Sequence, residues 1–166
     1  SLNLQALGHV QHYKDFNYLE YELFRNNQLI GYHKYDFKRD GDNLSIISEV
    51  SFNISKLGVN LYKYFAKSEE NYEKSVFKSY FSKTKQNKKD RYVNIKVSKE
   101  DNNLIIDGSS YKGKGDKKLI VGTWWNHEII KAKAQISGIS GRIIEQEVIF
   151  LGKEEIKIGE KTYKTL

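Results

Sequence analysis

Apolar and polar residues alternate at period two along most of this chain, in stretches separated by turn-forming residues. Few folds accept such a pattern. Alternation sends one set of side chains to a dry interior and the other to water, which specifies antiparallel strands joined as hairpins. Leu19, Tyr21 and Leu23 share one face of a first strand, Asn26-Asn27 supplies a turn, and a partner runs from Gln28 to Lys38. Asn tolerates the positive φ angles of tight hairpin turns, so this dipeptide is turn chemistry and not merely polarity. The turn Asp40-Gly41-Asp42-Asn43 leads into Leu44, Ile46, Val50, Phe52 and Ile54 on a long strand. Gly58 reads as a bend or bulge between that strand and the next, where Leu61 and Phe65 oppose Tyr62 and Tyr64.

Further along, Ser68 to Lys74 is polar and reads as a turn, Phe77 and Phe81 mark a strand, and Lys83 to Asp90 reads as a charged loop. Val93, Ile95 and Val97 alternate cleanly and pair with Leu104 to Asp107 across Asp101-Asn102-Asn103. Ser109 to Lys118, with two glycines and Tyr111 as its single apolar residue, reads as loop. Gly138 and Gly141 bracket a turn, and the end is predicted to run as Ile143 to Leu151, Glu154 to Ile158, the turn Gly159-Glu160, and Lys161 to Leu166. The fold class is therefore mainly β: one antiparallel meander over residues 16–166, bent into a barrel or half-barrel or folded as a sandwich, behind an irregular or briefly helical lead-in at 1–15. Closure or a covering helix would protect the edges that so long a meander creates.

One stretch departs from the rhythm. Thr123-Trp124-Trp125-Asn126-His127 holds both tryptophans, and Ile129 to Ala132 after it is predicted to form one short helix with Asn126 as its N-cap.

Composition removes several function classes. The chain has 166 residues and no cysteine, so thiolate catalysis, dithiol redox chemistry and zinc–thiolate sites are excluded. A domain of this length buries about two thirds of its unfolded surface and needs no staple. No apolar run approaches the roughly 20 residues of a membrane-spanning helix. The net charge of +7, from 28 Lys+Arg against 21 Asp+Glu, is spread over alternating solvent-facing strand positions, so it does not by itself indicate an anionic partner. The sequence contains no methionine and starts Ser1-Leu2-Asn3, which fits either a removed signal peptide or simple trimming.

Gly122-Thr123-Trp124-Trp125-Asn126, the turn Ser140-Gly141 and the run Phe150-Leu151-Gly152-Lys153-Glu154-Glu155 together resemble an uncharacterised family of exported proteobacterial β-rich domains. Gln28-Leu29-Ile30-Gly31 and Arg39-Asp40-Gly41-Asp42 add to the likeness, which spans residues 16–166. The resemblance implies export to the periplasm or cell envelope and a barrel or half-barrel similar to lipoprotein-carrier domains that hold acyl chains. It implies no established activity. His127 stands where that family often has proline, and family members continue beyond the hairpin at Leu166 with a further strand pair.

Candidate ligand-binding residues are Trp124, Trp125, Asn126, His127, His33 and Tyr35. Adjacent tryptophans on a strand point to opposite faces, so one plugs the core and the other packs under a loop or stacks on a ligand. Asn126 reads as a cap before it reads as a contact. His127 and Glu128 do not face each other on a helix, and His33 would need an acid opposite, for which Glu49 is the one candidate. His9 and His12 lack a third ligand, so no metal, cofactor or catalytic residue is assigned. Lys83, Lys85, Lys88, Lys89 and Arg91, flanked by Tyr80 and Tyr92, could meet phosphates, but a solvated loop is the simpler account and nucleic acid ranks last. The leading expectation is a non-enzymatic envelope protein enclosing a hydrophobic or lipid-like ligand within a curved sheet. A filled barrel engaging a protein partner through an open sheet edge is the alternative, and an enzyme built on His33 or His127 comes third.

Overall fold

The computed structural model describes residues 14–165. Eight strands form one antiparallel sheet in sequence order: β1 (Tyr18–Arg25), β2 (Gln28–Asp40), β3 (Asn43–Lys56), β4 (Val59–Glu73), β5 (Val76–Gln86), β6 (Lys89–Val97), β7 (Leu104–Gly108) and β8 (Lys112–Gly115). Among the described residues the sheet stays open. Its edges are unequal, eight residues in β1 against four in β8, so they cannot zip together along their length. The meander is thus as expected, and the closed barrel among the expected forms is not found.

Two-residue turns join the long strands, three of them with both residues at positive φ. Asn26 and Asn27 lie at φ 50° and 61°, and Leu57 and Gly58 at 51° and 77°, so Gly58 belongs to a hairpin turn and not to a bend. The strand irregularity there falls instead between Ile54 and Ser55. Lys74 and Ser75 make a similar turn at φ 50° and 63°. Consequently Ser68 to Glu73, read as turn from sequence, continues β4, and Lys83 to Gln86, read as loop, continues β5. Lys112–Gly115 within the expected loop is the edge strand β8.

A second sheet has the order β11 (Ile143–Glu145), β10 (Ala134–Ile136), β9 (Ile120–Val121). The pair β9–β10 is parallel, the exception among the otherwise antiparallel pairs of the described residues. Parallel neighbours need a crossover, and residues 122–133, which carry both tryptophans and a 3-10 helix at His127–Lys131, provide it. Asn126 caps that helix as expected, its side chain accepting from the Glu128 N–H at 3.1 Å. The hairpin β12 (Glu154–Ile158) and β13 (Lys161–Thr165) forms its own two-stranded sheet. Only 143–145 of the predicted strand 143–151 is paired.

The small sheet lies across one end of one face of the large sheet. That face places Phe37, Ile46, Glu70, Tyr80, Ile95 and Ile106 in one cross-strand row over β2 to β7. All six are buried, and Val121, Trp125 and Ile136 pack against them from the small sheet and its crossover. Contact is close enough to demand glycine: a Cβ on Gly108 would stand 2.6 Å from the Ser140 carbonyl oxygen.

Candidate functional site

Glu70 fixes the crossover to the sheet. Its carboxylate lies in the core at 2% exposure and accepts from the Tyr72 hydroxyl, from Trp125 Nε1 at 2.8 Å and from the Thr123 hydroxyl at 3.3 Å. Burial raises the Glu70 pKa, and those three donors partly restrain the rise. The Tyr72 hydroxyl is pushed up further, by burial and then by the neighbouring carboxylate. Trp125 therefore sits at 3% exposure, edge-on to Phe37 and Tyr72, whereas its neighbour Trp124 is 85% exposed. The predicted division of the pair, one inward and one outward, holds, although a turn and not a strand produces it.

Where the small sheet stops, the same face of the large sheet continues uncovered, and two hollows meet at Trp124. The first is a small cleft of about 110 Å³. Its floor is a ladder of hydroxyls, because Ser48, Ser68 and Ser82 lie in register across β3, β4 and β5. The adjoining row is Val50, Ala66 and Thr84, and His33, Tyr35, Tyr64 and Trp124 complete the walls. Beyond it Phe52 stacks on Tyr64, with ring centroids 4.9 Å apart. The second hollow is an apolar groove of about 520 Å³, lined by Trp124, Ile129, Ile130, Ile139, Ile144 and Val148, with Asn126, His127 and glutamine amides at its margins. That volume falls in the range usual for small-molecule sites, about 300–1,000 Å³.

Of the six residues singled out from sequence, His33, Tyr35 and Trp124 line the cleft, while Trp124, Asn126 and His127 line the groove. Trp125 lines neither and serves the core. The expected pairing of His33 with Glu49 does not form. Glu49 projects to the opposite face and accepts from the Tyr32 hydroxyl at 2.8 Å, while His33 Nε2 lies 2.9 Å from Ser48 Oγ. Burial lowers the His33 pKa to about 4, so the imidazole is neutral at physiological pH. His9 and His12 lie outside the described residues. Among the described residues, no group of three or more His, Asp or Glu side chains is placed to hold a metal ion, and no helix is long and apolar enough to cross a membrane.

The basic run divides by strand parity. Lys83 and Lys85 share the outer face with Phe65, Phe81 and Tyr92 around another hollow of about 520 Å³, but Tyr80 points into the core and cannot flank them. Tyr80 instead donates to the Gly138 carbonyl at 3.1 Å, and Ser82 donates to the same oxygen at 2.6 Å. Those two bonds hold the turn between β10 and β11 over the serine ladder.

Sequence reasoning missed Glu70, Ser68 and Thr84 because the segments 68–74 and 83–90 were given to turn and loop. The available signal was parity: Ser68, Glu70 and Tyr72 extend the face of Tyr62 and Tyr64 without a break in period.

The architecture is thus an open antiparallel meander, roofed at one end by a small sheet and bearing a two-part hollow at the roof's edge. The chain belongs to the DUF6134 family, a domain of unknown function, whose profile covers residues 21–166. No curated protein and no solved structure matches the chain.

Proposed function

We propose that the protein is an exported cell-envelope protein that holds a hydrophobic or lipid-like molecule in the isoleucine-walled groove beside Trp124. The observation that carries this reading is a hollow of about 520 Å³ whose lining has no Asp, Glu, Lys or Arg, in a chain with 28 basic and 21 acidic residues. Each buried methylene contributes about 0.8 kcal/mol, so a chain of moderate length reaches micromolar affinity even after association losses. Placement in the envelope rests on the resemblance described above.

A bromine-labelled acyl chain tests the site, because Trp124 is exposed and Trp125 is not. Saturable quenching of the red-shifted tryptophan emission is expected, and it is lost in Trp124→Phe. Ile144→Asp places a charge on the groove wall at a partly exposed position and abolishes binding. Quenching that is linear in ligand, or unchanged in Ile144→Asp, contradicts the reading. Fractionation of cells producing the full-length protein tests its location, and a cytoplasmic pool alone would refute export.

A second reading rests on the C-terminal hairpin. Ile156, Ile158 and Tyr163 are exposed on a lone two-stranded sheet, a unit marginal in water without packing. A protein partner at an open edge would cover it, and sedimentation showing a strictly monomeric protein that captures nothing counts against it.

A further inference from the structure

We propose that the occupant is an amphiphile with an uncharged, hydroxyl-bearing head, of the acylglycerol or alkyl glycoside class. Its chain lies in the isoleucine groove and its head lies in the serine cleft. This inference rests on the hydrophobic-ligand reading above and adds the head.

Continuity is the first ground. The cleft and the groove share Gly122, Thr123, Trp124, Gly138 and Ile139 in their linings, so one molecule can cross from one to the other beside the exposed indole. An indole face packs equally well on methylenes and on the apolar face of a sugar or glycerol.

The chemistry of the floor is the second. Ser48, Ser68 and Ser82 stand at neighbouring in-register positions; the buried Ser82 hydroxyl donates to the Gly138 carbonyl and Ser48 Oγ meets His33 Nε2, so the floor offers the Ser68 hydroxyl and the remaining bonding capacity of Ser48. Thr84, 3% exposed, adds a hydroxyl that lies beside the Tyr64 phenol without a well-formed hydrogen bond. A buried polar group in that condition is expected to find a partner when the site is filled. Groups of mixed donor and acceptor character suit a hydroxylated head better than a purely accepting carboxylate or phosphate.

Charge is the third. Neither lining contains Asp, Glu, Lys or Arg, and the imidazole in the cleft, His33, is neutral at physiological pH. Arg91 stands one strand beyond Thr84 on the same face, outside both linings, and its guanidinium donates to the Ser110 hydroxyl at 3.3 Å, so an anionic head would leave water with no cation in the lining, and a cationic head would do so without an acid.

Binding of three ligands with one acyl chain tests the inference at pH 8: a monoacylglycerol, the free fatty acid and the lysophosphatidic acid. The monoacylglycerol should bind at least tenfold more tightly than either anion. Ala66→Leu, which fills the cleft and leaves the groove intact, should erase that preference while holding the fatty-acid affinity within twofold. Ser48→Ala removes a hydroxyl without adding bulk and should reduce the preference severalfold, so the test does not hang on one variant folding. Equal or tighter binding of an anion overturns the head assignment and leaves the groove standing. A preference for the neutral ligand that survives both variants overturns its placement in the serine cleft. Failure of all three chains to bind overturns both readings.

Discussion

Replacing Glu70 with alanine should be among the most damaging single changes in this protein, although Glu70 touches neither water nor the hollows. Two fully buried donors, the Tyr72 hydroxyl and Trp125 Nε1, would lose their acceptor at once. Leaving a buried donor unmet costs about 1–3 kcal/mol. The Thr123 hydroxyl escapes this penalty, because it can turn to the Val121 carbonyl, 3.5 Å away. Relief of the carboxylate's own desolvation offsets part of the sum, so the net loss should be about 3 kcal/mol. Glu70→Gln should lose only about 1 kcal/mol, since its carbonyl can accept from Trp125 while its amide donates to the Tyr72 oxygen. Urea unfolding followed by tryptophan emission measures both. A pH comparison adds a sign. The Glu70 pKa is raised on folding, so the folded state binds the extra proton, and wild-type stability falls as pH rises through the interval between the unfolded and folded values. Wild type should therefore gain on Glu70→Gln as pH drops from 7 toward 4. An alanine variant within 1 kcal/mol of wild type, or a wild-type advantage that grows with pH, would refute the role given to this carboxylate.

Three further outcomes follow from single positions. The His33 pKa falls to about 4 on folding, so the stability it contributes is complete above the unfolded value near 6.5 and is lost as pH falls toward 4. After allowance for partial exposure, His33→Gln should remove about 1–2 kcal/mol of acid sensitivity, read as the difference between the two stability–pH curves. Gly108→Ala should destabilise by about 1–3 kcal/mol in urea, because the added Cβ meets the Ser140 carbonyl at 2.6 Å and the Gly141 Cα at 2.9 Å. Lys74→Asn with Ser75→Gly should raise the thermal midpoint by several degrees, since both residues occupy positive φ and Asn-Gly is the dipeptide such a turn favours.

The fold was legible wherever side-chain parity and turn chemistry agreed. Val93, Ile95, Leu104 and Ile106 are both periodic and bounded by Asp101-Asn102-Asn103, and they form the driest part of the core. Legibility failed at Lys74-Ser75, where L residues without the usual turn signature adopt left-handed backbone, and polar residues on both sides disguised the end of a fifteen-residue strand. The same error hid Glu70. Polarity at positions 68, 70 and 72 records a face that carries serine, glutamate and tyrosine for internal bonding, while Glu69 and Glu73 on the other face do meet solvent. The tryptophan pair was placed correctly, but sequence could not show that the inward indole needs a buried acid. The parallel pair β9–β10 escaped notice because a two-residue strand carries no period.

Resonances of the two indole N–H groups during titration with a monoacylglycerol give the most direct test of the central claim, that ligand lies across Trp124 on the roofed face of the sheet. The Trp124 resonance should move saturably, with the methyl groups of Ala66, Ile139 and Ile144 moving at the same midpoint and Trp125 held in place by Glu70. Shifts confined to Phe65, Phe81 and Tyr92 on the outer face, with Trp124 unmoved, would contradict it.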